Sequence, residues 1–141
     1  MAAGAKQILV VDDNPDDVVL LGRLVRDFPV ELISMPTGVA ALEYLFDPQQ
    51  ALPEVVLLDL ILPQMHGFDV LREIRHHERT KRLPVVIVTS SADEKGALKY
   101  YRVGIDGFLV KPVQLSELME VLSLLSLTPT PGHQSPEARS P

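Results

Sequence analysis

The fold is decided by the segment ILVVDDNP at residues 8–15, where an apolar run stops and acidic, helix-starting residues follow at once. Strands that helices cover on both faces are typically continuous apolar runs, so a buried strand is predicted here. Asn14 is a favourable N-cap, Pro15 suits the first helical position, and Asp16 and Asp17 favour the positive end of the helix dipole. The segment therefore predicts a strand that leads directly into a helix.

This strand-to-helix pattern recurs along the chain. Short apolar runs predict strands at 7–12, 30–35, 54–59, 84–89 and 106–110. A helix is predicted after each strand: the first is capped by Asn14, the second begins at about 37, the third follows Gly67, the fourth begins at 91, and the last carries Leu115. Regular alternation of strands and helices predicts an α/β domain with a doubly wound parallel sheet.

Apolar residues at helical spacing predict which helix faces are buried. The first helix has such a stripe as far as Phe28 and is stopped by Pro29. The predicted fourth helix, which ends at Gly104, is intrinsically the weakest, because Gly96 inside it costs about 1 kcal/mol relative to alanine. The last helix carries a stripe that is predicted to be core rather than a partner-binding zipper: Leu115, Leu118, Met119, Leu122 and Leu125.

Length and composition limit the class of protein. A chain of 141 residues, with 46% hydrophobic and 23% charged residues, accommodates one globular domain. We predict this domain at residues 7–126, with an N-terminal extension at 1–6 and a flexible, proline-rich tail at 127–141. The chain has no cysteine, which excludes disulfides, thiolate catalysis and cysteine metal sites.

Charge and hydropathy argue against two kinds of partner. The formal net charge of −6 disfavours nucleic acid, since phosphate binding needs a basic patch. No apolar stretch is long enough to cross a membrane, and the first residues make a poor signal peptide, so a cytoplasmic location is expected. A basic cluster is predicted to be a solvated helix end and loop: Arg72, Arg75, Arg79, Lys81 and Arg82.

Polar residues stand where the apolar runs stop. Asp12 and Asp13 lie at the end of the first predicted strand, Asp59 and Thr89 end the third and fourth, and Lys111 follows the fifth. The carboxyl ends of the strands form the ligand crevice of an open parallel sheet, so these side chains are expected to meet in one small volume. Each residue alone is ordinary capping or loop chemistry, but their joint occurrence in order predicts a reaction site.

Three carboxylates in one small volume repel one another unless a cation lies between them. Mg²⁺ is bound through one or two carboxylates and keeps positions for water and phosphate oxygens, so Asp12, Asp13 and Asp59 predict a magnesium and phosphoryl site. An aspartate can be the covalent nucleophile in phosphoryl transfer, and Asp59 is the best candidate. Lys111 supplies a fixed positive charge and Thr89 a hydroxyl donor.

The residues around these positions resemble the response-regulator receiver domain of two-component signalling. The resemblance extends over about residues 6–126 and rests on four motifs: VVDDN at 10–14, LDLILPQMHG at 58–67, VTS at 88–90 and VKP at 110–112. It implies a flavodoxin-like (βα)5 fold with the strand order 2-1-3-4-5. It also implies that Asp59 accepts a phosphoryl group from a sensor histidine kinase.

The resemblance assigns roles to the other site residues. Thr89 is the switch hydroxyl and Lys111 contacts the phosphate. Phe108 is the aromatic switch residue, although a core aromatic is an equally good interpretation of it. The Lys111–Pro112 peptide bond is expected to be cis, an isomer that is accessible mainly before proline. The implied Mg²⁺ ligands are Asp12, Asp13, Asp59 and the backbone carbonyl of Ile61.

Two departures from the family pattern qualify these roles. His66 stands where small polar residues are common, which alters the loop. Ile61 and Ser91 stand two residues after Asp59 and Thr89, where the family positions the attacking water, and an apolar Ile61 cannot orient water. We therefore expect slow self-dephosphorylation and no further enzymatic activity.

A change of protein surface is the expected output. Only the short tail follows the last predicted helix, so a stand-alone regulator without an effector domain is expected. Phosphorylation is expected to reshape the face formed by the fourth helix, the last strand and the fifth helix. This face would meet a downstream protein, a phosphotransfer protein or a second copy in a homodimer. Tyr100 and Tyr101, with the DNPDD motif at 13–17, resemble receivers that serve phytochrome-type kinases.

Two other functions remain open. A magnesium-dependent aspartyl phosphohydrolase has a second aspartate two residues after its nucleophile, where this chain has Ile61. A receiver-like interaction module that is never phosphorylated is compatible with the sequence, although retention of every acidic and basic site residue argues against it. Nucleotide binding is disfavoured, because the chain lacks both the Gly-rich dinucleotide fingerprint and the phosphate loop.

Overall fold

Five parallel strands form the central sheet of the computed structural model, which describes residues 6–90 and 104–124. The strands are β1 (Lys6–Val11), β2 (Val30–Met35), β3 (Val55–Leu58), β4 (Val85–Thr89) and β5 (Gly107–Val110). They are hydrogen-bonded in the order β2-β1-β3-β4-β5. The predicted α/β class, parallel pairing and strand order are confirmed.

Four helices accompany the sheet in the described ranges: α1 (Pro15–Leu24), α2 (Gly38–Phe46), α3 (Gly67–His76) and a last helix, Leu115–Leu124. Asn14 caps α1 as predicted, its side-chain oxygen accepting from the Asp16 N–H at 2.9 Å. None of these helices is long and apolar enough to span a membrane. Nearly all of the predicted fourth helix, the predicted tail and residues 1–5 lie outside the described ranges.

Helices cover both faces of the sheet, and alternate residues of each strand point to opposite faces. Ile8 and Val10 of β1 lie in one buried cluster, with apolar residues of α1 and of the last helix. Leu9 and Val11 lie in the other, with residues of α2 and α3. β3 and β4 likewise contribute buried side chains to both clusters, which is why the central strands are continuously apolar in sequence.

The first helix ends earlier than its apolar stripe indicates. α1 stops at Leu24, with Val25 as its C-cap, although the spacing predicts a stripe through Phe28. Val25 and Phe28 are nevertheless buried in the cluster beneath α1. The Phe28 N–H donates to the Val25 carbonyl at 2.9 Å, so a turn rather than a helix brings both side chains into the core.

Only part of the stripe on the last helix is core. Leu118 and Leu122 are fully buried, as predicted, whereas Leu115 and Met119 are exposed, so the prediction is wrong for these two residues. Successive helical residues are about 100° apart, which turns Met119 away from the row that faces the sheet. Leu125 lies beyond the described residues.

The basic cluster is more than a solvated helix end. Arg75, in the last turn of α3, donates to the carbonyl oxygens of Leu83 at 2.7 Å and of Gly104 at 2.9 Å. Arg79 donates to the carbonyl oxygen of Leu45 at 3.0 Å, in the last turn of α2. The prediction of solvation is wrong for these two arginines, because their guanidinium groups satisfy carbonyl oxygens that helix ends and loops leave unpaired.

Candidate functional site

The site lies at the carboxyl ends of four neighbouring strands. Asp12 follows β1, Asp59 follows β3, Thr89 closes β4 and Lys111 follows β5. The ladder of backbone hydrogen bonds continues past the strands. The Asp59 N–H donates to the Val11 carbonyl at 3.0 Å, and the Lys111 N–H donates to the Thr89 carbonyl at 2.8 Å. The sheet itself therefore sets the positions from which these side chains project.

Three carboxylates meet at this edge of the sheet. Ligand oxygens of Asp12, Asp13 and Asp59 all lie within 4.8 Å of one another. Asp12 and Asp59 are buried, with 4% and 7% of their surface exposed, whereas Asp13 faces solvent. One oxygen of Asp12 accepts from the Asn14 N–H at 2.9 Å, so the start of α1 orients this carboxylate. The structure thus brings together the three acidic residues of the predicted site.

The ammonium of Lys111 lies among the carboxylates. Its Nζ donates to Oδ2 of Asp12 at 2.8 Å, of Asp59 at 2.9 Å and of Asp17 at 2.8 Å. An ammonium has three N–H donors, so each donor has a carboxylate acceptor. Contacts with Asp12 and Asp59 follow from strand ends that lie at the same edge of the sheet, but the contact with Asp17 is not predicted by the sequence.

Asp17 is the site residue that sequence reasoning missed. Asp16 and Asp17 look alike in sequence, as acidic residues in the first turn of a helix. They differ in direction, because successive helical residues are about 100° apart: Asp17 reaches Lys111, whereas Asp16 is exposed. The angular position of each residue around the helix, counted from the Asn14 cap, could have distinguished Asp17 from Asp16.

Burial and hydrogen bonds between charged groups shift the pKa values of Asp59 and Lys111. Burial raises the pKa of Asp59 above its usual value, and the hydrogen bond from Lys111 offsets this only in part. Burial alone would lower the pKa of Lys111, but hydrogen bonds to Asp12, Asp17 and Asp59 outweigh burial and raise it. One ammonium shared by three carboxylates therefore stays charged without compensating each of them fully.

The described residues around the site leave negative charge uncompensated. Four carboxylates, those of Asp12, Asp13, Asp17 and Asp59, face the single positive charge of Lys111, an excess of three negative charges. A hard divalent cation with oxygen ligands suits such a group, and Mg²⁺ in particular needs only one or two carboxylates besides water and phosphate oxygens. The residues present therefore fit a magnesium ion.

The loop after β3 holds the Asp59 carboxylate at its second oxygen. The Ile61 N–H donates to Oδ1 of Asp59 at 3.2 Å, while Oδ2 accepts from Lys111. The Ile61 side chain is 54% exposed. The carboxylate is thus oriented from two sides, with an apolar side chain in the same loop.

The backbone of the same loop is hydrogen-bonded to the start of α3. The Gly67 N–H donates to the Leu60 carbonyl at 2.8 Å, and a Cβ on Gly67 would lie 2.6 Å from the Leu60 Cα and closer still to the Asp59 carbonyl oxygen. His66 caps α3, because its Nδ1 accepts from the Phe68 N–H at 3.1 Å. Only glycine permits this approach between the two backbones, so Gly67 sets the path of the chain that carries Asp59.

Thr89 contributes a buried hydroxyl to the site. The residue is fully buried, and its Oγ1 has no hydrogen-bond partner within the described part of the chain. Thr80, another fully buried threonine, instead donates its hydroxyl to the Ile74 carbonyl at 2.7 Å. Buried hydroxyls in folded proteins are normally hydrogen-bonded. Thr89 is therefore an exception among the buried threonines, because the described residues give its hydroxyl no partner.

Replacing Thr89 with valine is expected to raise the free energy of unfolding by about 1 kcal/mol, because a methyl group of the same shape replaces an unsatisfied buried hydroxyl. Thr80→Val is the matched control. It is expected to lower the free energy of unfolding by about 1 kcal/mol, since the Ile74 carbonyl loses its donor. Urea unfolding of both variants measures the difference, and a loss of stability in Thr89→Val would contradict the unsatisfied hydroxyl.

Phe108 and Pro112 flank the lysine in sequence. Phe108 of β5 is partly buried and packs against the cluster shared with α2 and α3, as a core aromatic does. Its role as a switch residue stays a prediction. The Lys111–Pro112 peptide bond is cis.

The chain is similar to a known protein family along most of its length. Residues 8–123 match the family described as response regulator receiver domain. The response regulator Rcp1 of Synechocystis sp. is 32% identical over 123 residues, and the match covers 83% of this chain and 84% of Rcp1. The chain spans only 7% of the length of another relative, the hybrid signal transduction histidine kinase L of Dictyostelium discoideum, at 29% identity.

Solved structures show the same fold. The structure of the bacteriophytochrome response regulator AtBRR matches with a TM-score of 0.78 at 31% identity, covering 87% of this chain and 94% of that one. The Mn²⁺-bound form of Rcp1 matches with a TM-score of 0.66 at 31% identity, covering 85% and 88% of the two chains. Response regulators of known structure therefore share this architecture.

Proposed function

The chain belongs to the response regulator receiver domain family, and from that premise we propose that Asp59 accepts a phosphoryl group from a histidine kinase in the presence of Mg²⁺. The observation that carries the proposal is the environment of the Asp59 carboxylate. One of its oxygens accepts from the Ile61 N–H and the other from the Lys111 ammonium, beside Asp12 and Asp13. The phosphorylated protein would then present a changed surface to its partners.

Transfer to Asp59 needs an in-line nucleophile and positive charge around the phosphoryl oxygens. A lone pair on a carboxylate oxygen of Asp59 forms the new O–P bond. The P–N bond to the kinase histidine breaks, and the imidazole nitrogen keeps that electron pair. Lys111, already hydrogen-bonded to Asp59, donates to the phosphoryl oxygens as they arrive, and such charge-assisted contacts are stronger than neutral ones.

Asp12, Asp13 and Asp59, with the backbone carbonyl of Ile61, are the proposed magnesium ligands. A bound Mg²⁺ supplies positive charge that neutralises the phosphoryl oxygens during transfer. The proposal is supported by the excess of negative charge among the clustered carboxylates and by the existence of a manganese-bound form of the related Rcp1.

The change of surface is proposed to begin at Thr89. Its buried hydroxyl lacks a partner among the residues described, and a phosphoryl oxygen on Asp59 would provide one. Thr89 pairs with Val110 across β4 and β5, two residues after Phe108, and an inward shift of Thr89 is proposed to make room for that ring. Reversing a two-state equilibrium from 1:99 to 99:1 takes about 5.5 kcal/mol, a sum that several charge-assisted contacts can supply.

A phytochrome-type histidine kinase is the proposed phosphoryl donor, because bacteriophytochrome response regulators are among the similar solved structures. The proposed receivers of the signal are a downstream protein or a phosphotransfer protein. A second copy is a further proposed partner, through the face that includes the predicted fourth and fifth helices. We propose residues 7–126 as the receiver domain, 1–6 as an extension and 127–141 as a tail, acting in the cytoplasm.

Intact mass after incubation with Mg²⁺ and a small acyl phosphate tests the proposal. The wild-type protein is expected to gain the mass of one phosphoryl group, and Asp59→Asn is expected to gain nothing, because its amide is not a nucleophile of this kind. Asp69→Asn, which removes an exposed aspartate paired with Arg72 on α3, is the matched control and should be modified like the wild type.

Other outcomes of this experiment favour other functions. Consumption of the acyl phosphate without an adduct indicates an aspartyl phosphohydrolase. Neither consumption nor adduct indicates an interaction module that is never phosphorylated. An adduct that persists in Asp59→Asn overturns the choice of Asp59 as acceptor.

We also propose that the adduct lasts for many minutes. The side chain two residues after Asp59 is the apolar, exposed Ile61, which has no group to orient a water molecule for attack on the phosphorus. Following the same mass over time tests this point, and a half-life of seconds with Mg²⁺ present would contradict it.

A further inference from the structure

We propose that Asp17 is a positioning residue for phosphoryl transfer, which keeps the Lys111 ammonium over the acceptor while the phosphoryl group moves. This inference rests on the proposed function of Asp59. Its basis is the contact between Lys111 Nζ and Asp17 Oδ2 at 2.8 Å, as short as the contact with Asp12.

The three carboxylates that contact Lys111 have different proposed roles during phosphoryl transfer. Asp59 uses a carboxylate oxygen to bond phosphorus, and Asp12 is a proposed ligand of the metal. Asp17 has neither task, and it does not belong to the group of carboxylates that could hold one ion, namely Asp12, Asp13 and Asp59. It is therefore the anchor that Lys111 retains when the other two are engaged.

Counting donors shows how Lys111 can be shared at that moment. An ammonium has three N–H donors, and all three have carboxylate acceptors in the structure. If the donor to Asp17 stays in place, two donors are free for phosphoryl oxygens. The lysine then turns about a fixed contact instead of losing every contact at once.

The space around Lys111 makes such an anchor necessary. A cavity of about 320 Å³ lies beside the Asp17–Lys111 pair and has a largely apolar lining that includes Leu20, Leu21 and Val113. A flexible lysine without a fixed partner can turn into this space and away from Asp59. The contact with Asp17 ties the residue after β5 to the first turn of α1 and closes that route.

Replacing Asp17 with asparagine is expected to slow both the phosphorylation of Asp59 and the hydrolysis of the phosphoryl adduct. The rate of adduct formation from an acyl phosphate and the rate of adduct hydrolysis should each fall about threefold to fivefold, the upper part of the range for a charged contact that is partly open to solvent. Both rates fall because Lys111 stabilises charge on the phosphoryl oxygens in the transition states of both reactions. The side chain of Asp17 is 29% exposed, which keeps the effect moderate.

Asp16→Asn is the matched control for this substitution. It removes the same charge from the same helical turn, where Asp16 is exposed and makes no ion pair within the described residues. Its two rates should stay within about twofold of the wild type. Asp17→Glu, which keeps the carboxylate, should restore most of both rates, and this rescue separates a positioning role from a structural one.

A second readout uses the metal-free, unphosphorylated protein. The ¹⁵N resonance of Lys111 Nζ, assigned by its loss in Lys111→Met, should shift or broaden in Asp17→Asn and stay in place in Asp16→Asn. An unchanged resonance in Asp17→Asn means that the contact is not made in solution, which overturns the proposal.

The outcomes separate this proposal from the one it rests on. If the wild type forms no adduct, the proposed function of Asp59 fails and the positioning role fails with it. If the wild type forms an adduct and the rates of Asp17→Asn equal or exceed those of Asp16→Asn, only the role of Asp17 is overturned.

Discussion

Replacing Gly67 with alanine is expected to lower the free energy of unfolding by about 3 kcal/mol. The new Cβ would lie 2.6 Å from the Leu60 Cα and closer still to the Asp59 carbonyl oxygen. Both neighbours are backbone atoms, so the overlap cannot be relieved by rotating a side chain. Either α3 or the loop that carries Asp59 has to move. Urea unfolding measures the loss, and phosphorylation of the variant should slow as well, because Asp59, the proposed acceptor, is displaced.

Gly22→Ala is the control for this substitution. Gly22 lies inside α1, and the nearest atom to its added Cβ is a Leu32 methyl at 3.9 Å, an ordinary contact. Alanine there is expected to raise the free energy of unfolding by about 0.5–1 kcal/mol, because glycine is the poorer helix former. If Gly67→Ala were as stable as the wild type, the close backbone approach between Gly67 and the loop that carries Asp59 would be wrong.

Removing the charge of Lys111 is the second change with a large expected effect. Lys111→Met keeps a long apolar side chain but leaves the buried Asp12 and Asp59 without a cation. Breaking a buried ion pair on one side is strongly destabilising, so without divalent metal at neutral pH the free energy of unfolding is expected to fall by about 3 kcal/mol. Lys81→Met, which breaks an exposed pair with Glu78, should cost less than about 0.5 kcal/mol.

The loss in the free energy of unfolding that Lys111→Met causes should depend on pH. Burial already raises the pKa of Asp59 in the wild type, and loss of the ammonium raises it further. A carboxyl with a raised pKa in the folded state stabilises the fold below the pKa of the unfolded chain, and this contribution is lost as the pH rises through the folded pKa. The deficit is therefore expected to shrink in mild acid and to shrink when Asp59→Asn is added. A deficit that does not change with pH would contradict the account of unpaired carboxylates.

Most of the fold and the strand-end site could be predicted from the sequence because the signals are local. A strand buried on both faces must be apolar throughout, so the apolar runs Ile8–Val11 and Val55–Leu58 predict central strands. The residues that follow a parallel strand then share one edge with the residues that follow its neighbours. That rule brings Asp12, Asp59 and Lys111 together without any knowledge of long-range contacts.

The features that sequence reasoning missed depend on which partner a side chain finds in three dimensions. Asp17 and Asp16 have the same local environment, but only Asp17 points at a lysine that lies 94 positions later. Arg75 belongs to a basic run in the sequence, but its guanidinium donates a hydrogen bond to the backbone carbonyl of Gly104. Met119 has helical spacing with core residues, but its side chain is exposed. In each case local periodicity indicates an element and leaves the contact unspecified.

The long separation between the residues of the site has a consequence for how the protein is made. Lys111 is 52 positions from Asp59 and 99 positions from Asp12, so its contacts are among the most non-local in the molecule. Such contacts form late, after the entropy of closing long loops has been overcome. During synthesis, at roughly 5–20 residues per second, Asp59 emerges several seconds before its lysine does. A growing or truncated chain without β5 thus has an Asp59 carboxylate with no cation beside it, and the charge arrangement of the site is complete only when the last strand joins the sheet.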